Sequence, residues 1–212
     1  MSTSQSGRAK RAGSRIFLTV VFLIAVYFVV KHTLRYFNLT EESYGPNFWP
    51  RVNWVFPHVI CGVVALLVGP FQFSKNLRAK RLSLHRKLGY VYLISVLIGG
   101  IAGYVLAATS SVNLTYEWGL KGLSIAWLLT SGMALFFILN RKTTQHKEWM
   151  VRSYVVTFAF VIFRLSYDIL KYYEAGSNED INALMSWASW SFPLLFTEAI
   201  LQYRKTFKTK RK

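Results

Sequence analysis

The chain has 212 residues, of which 53% are hydrophobic, and it carries 26 Lys and Arg residues against 9 Asp and Glu residues. In a soluble domain charges are spread among apolar positions, whereas here they are gathered between long apolar runs, which argues against a soluble fold. Because the positive charges lie in short clusters beside those runs, we expect anionic lipid head groups, rather than nucleic acid, as their partners.

Six apolar segments follow one another along the chain, and each is close to the roughly 20 residues that a helix needs to cross a bilayer. They run over residues 16–37, 54–74, 89–108, 118–140, 151–172 and 185–203. The first follows a basic stretch but is long and lacks an A-x-A-like cleavage site, so we expect an uncleaved anchor. The sequence therefore predicts an all-α membrane bundle of six transmembrane helices at 16–203, between basic tails at 1–15 and 204–212.

Basic residues mark every other connection between these segments. They occur in both tails and in the loops near 75–87 and 141–152, whereas the loops near 109–117 and 173–184 contain no Lys or Arg. An excess of Lys and Arg is typical of the cytoplasmic loops of membrane proteins. We therefore expect both termini in the cytoplasm.

An outer group of polar residues lies inside the predicted segments. Helical rise puts His32, His58 and Asp168 at a similar distance from the outer ends, with Arg164 somewhat deeper. Arg164 and Asp168 are four residues apart on one helix, so they share a face and can neutralise each other. Because a charge exposed to lipid is expensive, we predict that both face the bundle interior.

An inner group of polar residues lies at the opposite ends of the segments. His85 opens the third segment and His146 opens the fifth, and both enter the membrane from the same side. Gln72, Arg152 and Glu198 are expected near the same level. The spacing therefore predicts that His85 and His146 approach each other at the cytoplasmic end of the bundle.

The inner histidines suggest a haem b site. Such a site needs an axial imidazole from each of two helices, an apolar slot and cations near the propionates. His85 is followed by Arg86, and His146 is followed by Lys147. The candidate cofactor-binding residues are His85, His146, Arg86, Arg152 and, in the outer group, His58. As an alternative, a histidine beside a basic residue at a membrane edge contacts lipid phosphates.

Other kinds of site have no support in the sequence. The single cysteine, Cys61, excludes an intrachain disulfide and a cysteine-based metal site. Because neither an H-x-x-x-H nor an HExxH spacing occurs, we assign no metal site. A nucleotide-binding loop, a Ser-His-Asp arrangement and a hydrolytic carboxylate pair are also missing, so the sequence leaves open whether the protein is an enzyme.

A set of motifs between His58 and Arg164 resembles a known family. The resemblance rests on His58 with Gly62, the run Gly69-Pro70-Phe71-Gln72-Phe73, Arg78, His85-Arg86 with Gly89 and Tyr92, Trp127, His146 with Trp149-Met150-x-Arg152-Ser153, and Arg164. This stretch is similar to the bacterial membrane family called domain of unknown function 2306. The resemblance implies a helical protein of the bacterial inner membrane and brings no activity. A looser similarity of architecture links the chain to di-haem cytochrome b proteins.

Two classes of function follow from these observations. The first is a haem b electron-transfer protein that uses the inner histidine pair and a redox partner or quinone. The second is a non-enzymatic transporter or lipid-binding protein whose charged intramembrane residues, Arg164, Asp168, Glu198 and Gln72, line a pathway. The sequence does not choose between them.

Overall fold

A computed structural model describes the backbone of residues 2–209. Met1 and residues 210–212 lie outside it, and with them the last three residues of the basic tail predicted at 204–212. Within the described range all regular structure is helical, as the sequence predicts. The helices are α1 (Ser2–Phe28, continued by a π segment Val29–Thr33 and a 3-10 segment Leu34–Asn38), α2 (Glu41–Phe48, then 3-10 Trp49–Arg51), α3 (Val52–Gln72), α4 (Lys75–Lys80), α5 (Leu82–Ala108), α6 (Leu114–Leu139), α7 (Thr143–Thr157), α8 (Ala159–Tyr172) and α9 (Asn178–Thr209).

Five helical stretches of the described chain are long and apolar enough to cross a membrane. They are Ile16–Asn38, Glu41–Gln72, Leu82–Ala108, Leu114–Leu139 and Thr143–Tyr172, and each overlaps one of the first five predicted segments, with several beginning earlier than predicted. The sixth prediction falls in α9, which is 32 residues long but is not among them. Its serines, Pro193 and Glu198 lower the mean hydropathy of that helix. The six-helix prediction therefore holds for five segments by this criterion.

Successive long helices run in opposite directions. His58, in the second turn of α3, contacts Gly99 near the end of α5, and Gln72, at the end of α3, packs against Gly89 near the start of α5. Ring contact between Phe22 and Phe71 brings the first half of α1 to the end of α3. We call the end of the bundle where α1 begins and α9 finishes the tail end, and the opposite end the distal end.

The long helix α9 completes the bundle beside α6, α7 and α8. Ser186 packs against Gly119 and Trp190 packs against Gly122, so α9 runs parallel to α6. A methyl group at Gly119 would overlap the backbone of Ser186 at 2.9 Å, which means that only glycine permits this approach.

Helices α7 and α8 form one membrane-length unit with a bend at Phe158. Just before the bend, the hydroxyl of Thr157 donates to the carbonyl of Ser153 at 2.9 Å. Side-chain bonds of this kind loosen the backbone ladder and bend helices. The bend directs α8 over the distal end, where it forms one wall of the cavity described next.

Candidate functional site

The distal half of the bundle encloses a cavity of about 340 Å³, which we call the distal cavity. Every helix from α1 to α8 except α4 contributes to its wall or rim. Aromatic and aliphatic side chains dominate the wall, among them Phe28, Tyr36, Leu66, Trp127, Phe160 and Phe163. A mostly apolar cavity of this size is typical of sites that bind small molecules.

The charged residues that line the distal cavity are all basic. Arg51 and Arg164 lie in its wall, and none of the lining residues that the structure describes is Asp or Glu. Arg51 is held at the rim by backbone carbonyls, since it donates to Thr109 O at 2.8 Å and to Asn47 O. The charged side chains of the lining therefore give the cavity a positive electrostatic character.

Arg164 is half-buried inside a candidate membrane span. Within the described chain no carboxylate lies within 4.0 Å of its guanidinium, which lies 5.9 Å from the centre of the Tyr167 ring. The predicted ion pair between Arg164 and Asp168 is therefore wrong. Asp168 instead bonds Lys31 at 3.1 Å and lies 3.5 Å from His32 Nε2.

The two residues that contact Asp168 lie in the π segment of α1. Lys31 and His32 are consecutive in that segment, and both side chains reach Asp168 on α8. Helical spacing places Arg164 and Asp168 on one face of α8. Asp168 nevertheless pairs with Lys31, which belongs to another helix. The first helix is thereby fastened to α8 beside the distal cavity.

His58 lines the distal cavity and contacts Gly99, Gly103 and Phe160. Its Nδ1 lies 2.8 Å from Gly99 O, and because a carbonyl only accepts, Nδ1 carries the proton. Its ring packs on Gly103, where a Cβ would lie 2.9 Å away, and edge-on against Phe160 with centroids 5.5 Å apart. In the neutral imidazole Nε2 is then the acceptor, on a side chain that lines the cavity.

A buried hydroxyl network lies beneath the distal cavity. The Thr157 hydroxyl donates to Ser153 O and accepts from Trp127 Nε1 at 2.8 Å, so it also accepts the Tyr92 hydroxyl proton at 2.7 Å. Tyr92 in turn accepts from Ser153, and Ser153 from Ser131, each at 2.7 Å. Every hydroxyl proton in this network has an acceptor. The network ends at a backbone carbonyl, so we interpret it as a structural link between α5, α6 and α7.

Two ion pairs join helices in the tail half. Arg152 is buried and donates through Nε and Nη2 to Glu198 Oε2, with the Nε bond at 2.9 Å. Lys205 pairs with Glu148 at 2.7 Å. The guanidinium of Arg152 also stacks on Trp149 at 4.7 Å. Arg152, a candidate cofactor residue from the sequence, is thus bound to a carboxylate of its own chain.

His85 and His146 lie at the same level in the tail half. Tyr92 and Ser153 are hydrogen-bonded, and the two histidines each precede one of these residues by seven positions on parallel helices. His146 is close enough to His85 to interact with it electrostatically. His146 Nδ1 donates to Ala134 O at 2.8 Å, while His85 Nδ1 is buried without a hydrogen-bond partner.

Two further residues proposed from the sequence lie near this pair. Gln72 is buried, its Nε2 has no hydrogen-bond partner, and its backbone carbonyl accepts a bond from Arg78 at 2.7 Å. Arg86 is exposed and lies within electrostatic range of His85. The described residues contain no group of three or more His, Cys, Asp or Glu side chains that could hold a metal ion.

Comparison with known families assigns the chain to a membrane family. Residues 55–201 match a family described as Predicted membrane protein (DUF2306). The chain belongs to this family. The DUF2306 match includes His58, Arg164 and both tail-half histidines, but α1 lies before it. No curated protein and no solved structure matches the chain.

Membership of DUF2306 makes the chain a membrane protein and assigns it no activity. The similarity to di-haem cytochromes b stays an expectation from the sequence. What the sequence did not indicate is the distal cavity itself, the role of Arg51 and the carbonyl partner of His58. Arg51 lies outside the apolar segments and carries no motif, so only its position in the fold reveals it.

Proposed function

We propose that the protein is a non-enzymatic transporter or lipid-binding membrane protein that binds an amphipathic anion in the distal cavity. The observation that carries this proposal is Arg164, an intramembrane cation that lines the cavity without a carboxylate partner among the described residues. Charged side chains within membranes are expensive and commonly line substrate pathways. A bound anion would neutralise Arg164, and the aromatic wall would cover the apolar part of the same molecule.

A pair of probes that differ only in charge tests the anion requirement. Cis-parinaric acid is a fluorescent fatty acid anion, and its methyl ester has the same chain without the charge. We expect the purified protein to bind the acid more tightly than the ester. Arg164→Gln should weaken binding of the acid about 10- to 100-fold, because a hydrogen bond to a charged group is worth about 1.5–3 kcal/mol, and should leave the ester unchanged.

Lys171→Gln provides the matched control. Lys171 is a second cation of α8 that does not line the distal cavity. Removing it should leave the affinity for both probes unchanged. Equal binding of acid and ester by the unaltered protein, or equal losses in the two variants, would contradict an anion site at Arg164.

A second candidate function is electron transfer by a haem b between His85 and His146, with a quinone or protein as redox partner. The observation that favours it is the His146 Nδ1 bond to Ala134 O, which leaves Nε2 available to a metal beside His85. Protein purified from haem-replete cells should then show a bis-imidazole spectrum that His146→Gln removes. A colourless preparation would argue against this candidate.

The topology proposal is six membrane spans with the tail end in the cytoplasm of a bacterium. In its favour, α9 presents Phe192, Leu195 and Phe196 on an exposed face, with 56–66% of each side chain accessible, as a lipid-facing helix would. The basic loops and tails lie at the tail end, in agreement with the positive-inside rule. A reporter fused after Lys212 should lie in the cytoplasm, and a reporter inserted near Gly176 should lie on the outer side. If both reporters lie on the same side of the membrane, the protein does not have six spans.

A further inference from the structure

The imidazole of His58 presents a hydrogen-bond acceptor to the distal cavity that the described chain does not use. Its Nδ1 donates to Gly99 O at 2.8 Å, so in the neutral ring Nε2 is the acceptor. Nε2 has no hydrogen-bond partner among the described residues, yet it is not fully enclosed by protein. Because the ring lies deep in the bundle and lines the cavity, Nε2 is reachable from the cavity.

The surroundings of Nε2 restrict the kind of donor it can accept from. Leaving a buried polar group unpaired costs free energy, so buried acceptors nearly always have a donor. Arg51 is not that donor, since it is held by the carbonyls of Asn47 and Thr109. Because the charged residues of the lining are all basic, an ammonium group is disfavoured there. A neutral hydroxyl group on the ligand suits this acceptor.

The position of Arg164 sets the distance between this hydroxyl and the anionic group of the ligand. The His58 ring packs against Phe160 with centroids 5.5 Å apart. Arg164 follows Phe160 by four residues on α8, which is about 6 Å along the helix. Its guanidinium lies 5.9 Å from the ring of Tyr167, which is farther still from Phe160 along α8. The two polar groups of one ligand must therefore be several bonds apart.

From these observations we infer that the amphipathic anion of the distal cavity is a hydroxy acid, whose carboxylate pairs with Arg164 and whose mid-chain hydroxyl donates to His58 Nε2. This inference rests on the proposed function, because it names the chemical class of that anion. The cavity of about 340 Å³ is large enough for both polar groups and the carbons between them, at roughly 30 Å³ for each non-hydrogen atom, the share of a water molecule in the liquid.

Three related acids test the inference. Decanoic acid with a mid-chain hydroxyl supplies the donor, its O-methyl ether keeps the oxygen but cannot donate, and the isomer with the hydroxyl beside the carboxylate has its donor in the wrong place. Each is titrated against cis-parinaric acid bound to the purified, detergent-solubilised protein, and fluorescence reports displacement. We expect the mid-chain hydroxy acid to bind about 3- to 10-fold more tightly than the other two, as one hydrogen bond of ordinary strength would give.

The decisive variant is His58→Asn. An asparagine amide can donate to Gly99 O in place of Nδ1 but is too short to replace Nε2, so the preference for the hydroxy acid should disappear. Retained binding of cis-parinaric acid shows that this variant is folded. His146→Asn is the matched control, because His146 Nδ1 also donates to a carbonyl but the residue lies outside the cavity, and it should keep the preference. Arg164→Gln should weaken binding of all three acids and also keep the preference.

The results that would overturn the inference differ from those that would overturn the proposed function. If the unaltered protein binds the hydroxy acid and its ether equally, or if the preference survives His58→Asn, the inference is wrong. Binding of cis-parinaric acid that depends on Arg164 would then still support the proposed function. If cis-parinaric acid does not bind at all, the proposed function fails and the inference fails with it.

Discussion

Two arginines inside the bundle, one in each half, have opposite environments. In the tail half, Arg152 bonds Glu198 and stacks on Trp149. In the distal half, Arg164 lines a cavity of about 340 Å³ and has no carboxylate within 4.0 Å among the described residues. A paired cation holds helices together, whereas an unpaired cation in a membrane cavity needs a partner from outside the chain. The difference indicates that Arg152 has a structural role and that Arg164 is available to a ligand.

Neutral replacement of each arginine tests this contrast most directly. Arg152→Leu should destabilise the protein by roughly 2–4 kcal/mol, between the values for exposed and buried pairs, because Glu198 loses its partner. Arg164→Leu should be neutral or stabilising without ligand, since it removes an unpaired intramembrane charge. Thermal unfolding followed by tryptophan fluorescence measures both. Similar destabilisation by the two changes would mean that Arg164 has a structural partner.

The double variant Arg152→Leu, Glu198→Leu is the control for the first effect. Because it removes both charges together, it should recover part of the stability lost in the single variant. Additive losses would show that Arg152 stabilises the bundle through its contact with Trp149 instead.

Two glycines of α3 extend the comparison to packing. Gly69 lies in the tail half, where an added methyl group would overlap the ring of Tyr154, and Gly62 lines the distal cavity, where nothing lies within 4 Å. Gly69→Ala should cost about 1–3 kcal/mol from overpacking. Gly62→Ala should add up to about 1 kcal/mol of stability through better helix propensity. Equal effects in an unfolding assay would show that the two halves are packed alike.

Tyr92→Phe tests the hydroxyl network at the boundary between the halves. It removes the bonds to Ser153 and Thr157, which are both buried. We expect a loss of about 1–2 kcal/mol, because two buried bonds are removed and each is worth about 0.6–1 kcal/mol, with no change in binding of the methyl ester probe. The unfolding assay and the ester titration check the two parts. Loss of binding without loss of stability would move the network from a structural to a functional role.

The smallest effect is expected at the fastening of α1. The Lys31 and Asp168 side chains are 47% and 38% exposed, so their ion pair should contribute less than about 1 kcal/mol. A double-mutant cycle should nevertheless detect coupling between Lys31 and Asp168 and none between Arg164 and Asp168. Coupling between Arg164 and Asp168, with none between Lys31 and Asp168, would instead support the ion pair that helical spacing predicts.

Depth in the membrane could be predicted from sequence, but contacts between helices could not. His85 and His146 were expected at one level because each begins an apolar segment on the same side, and helical rise converts position into depth. The same reasoning paired Arg164 with Asp168, since four residues make one turn. It could not include Lys31, whose position depends on a π segment that no simple periodicity of the sequence predicts.

The sequence by itself determined that the chain is helical and where at least five of its apolar segments lie, because satisfying backbone polar groups in lipid is a local requirement. Only the tertiary structure decided which arginine is neutralised and which two histidines line a cavity. Those outcomes depend on close approaches of helices distant in sequence, such as His58 at Gly99 and Arg152 at Glu198. The charge and the membrane depth of a side chain can be predicted from the sequence, but its partner depends on how the helices pack.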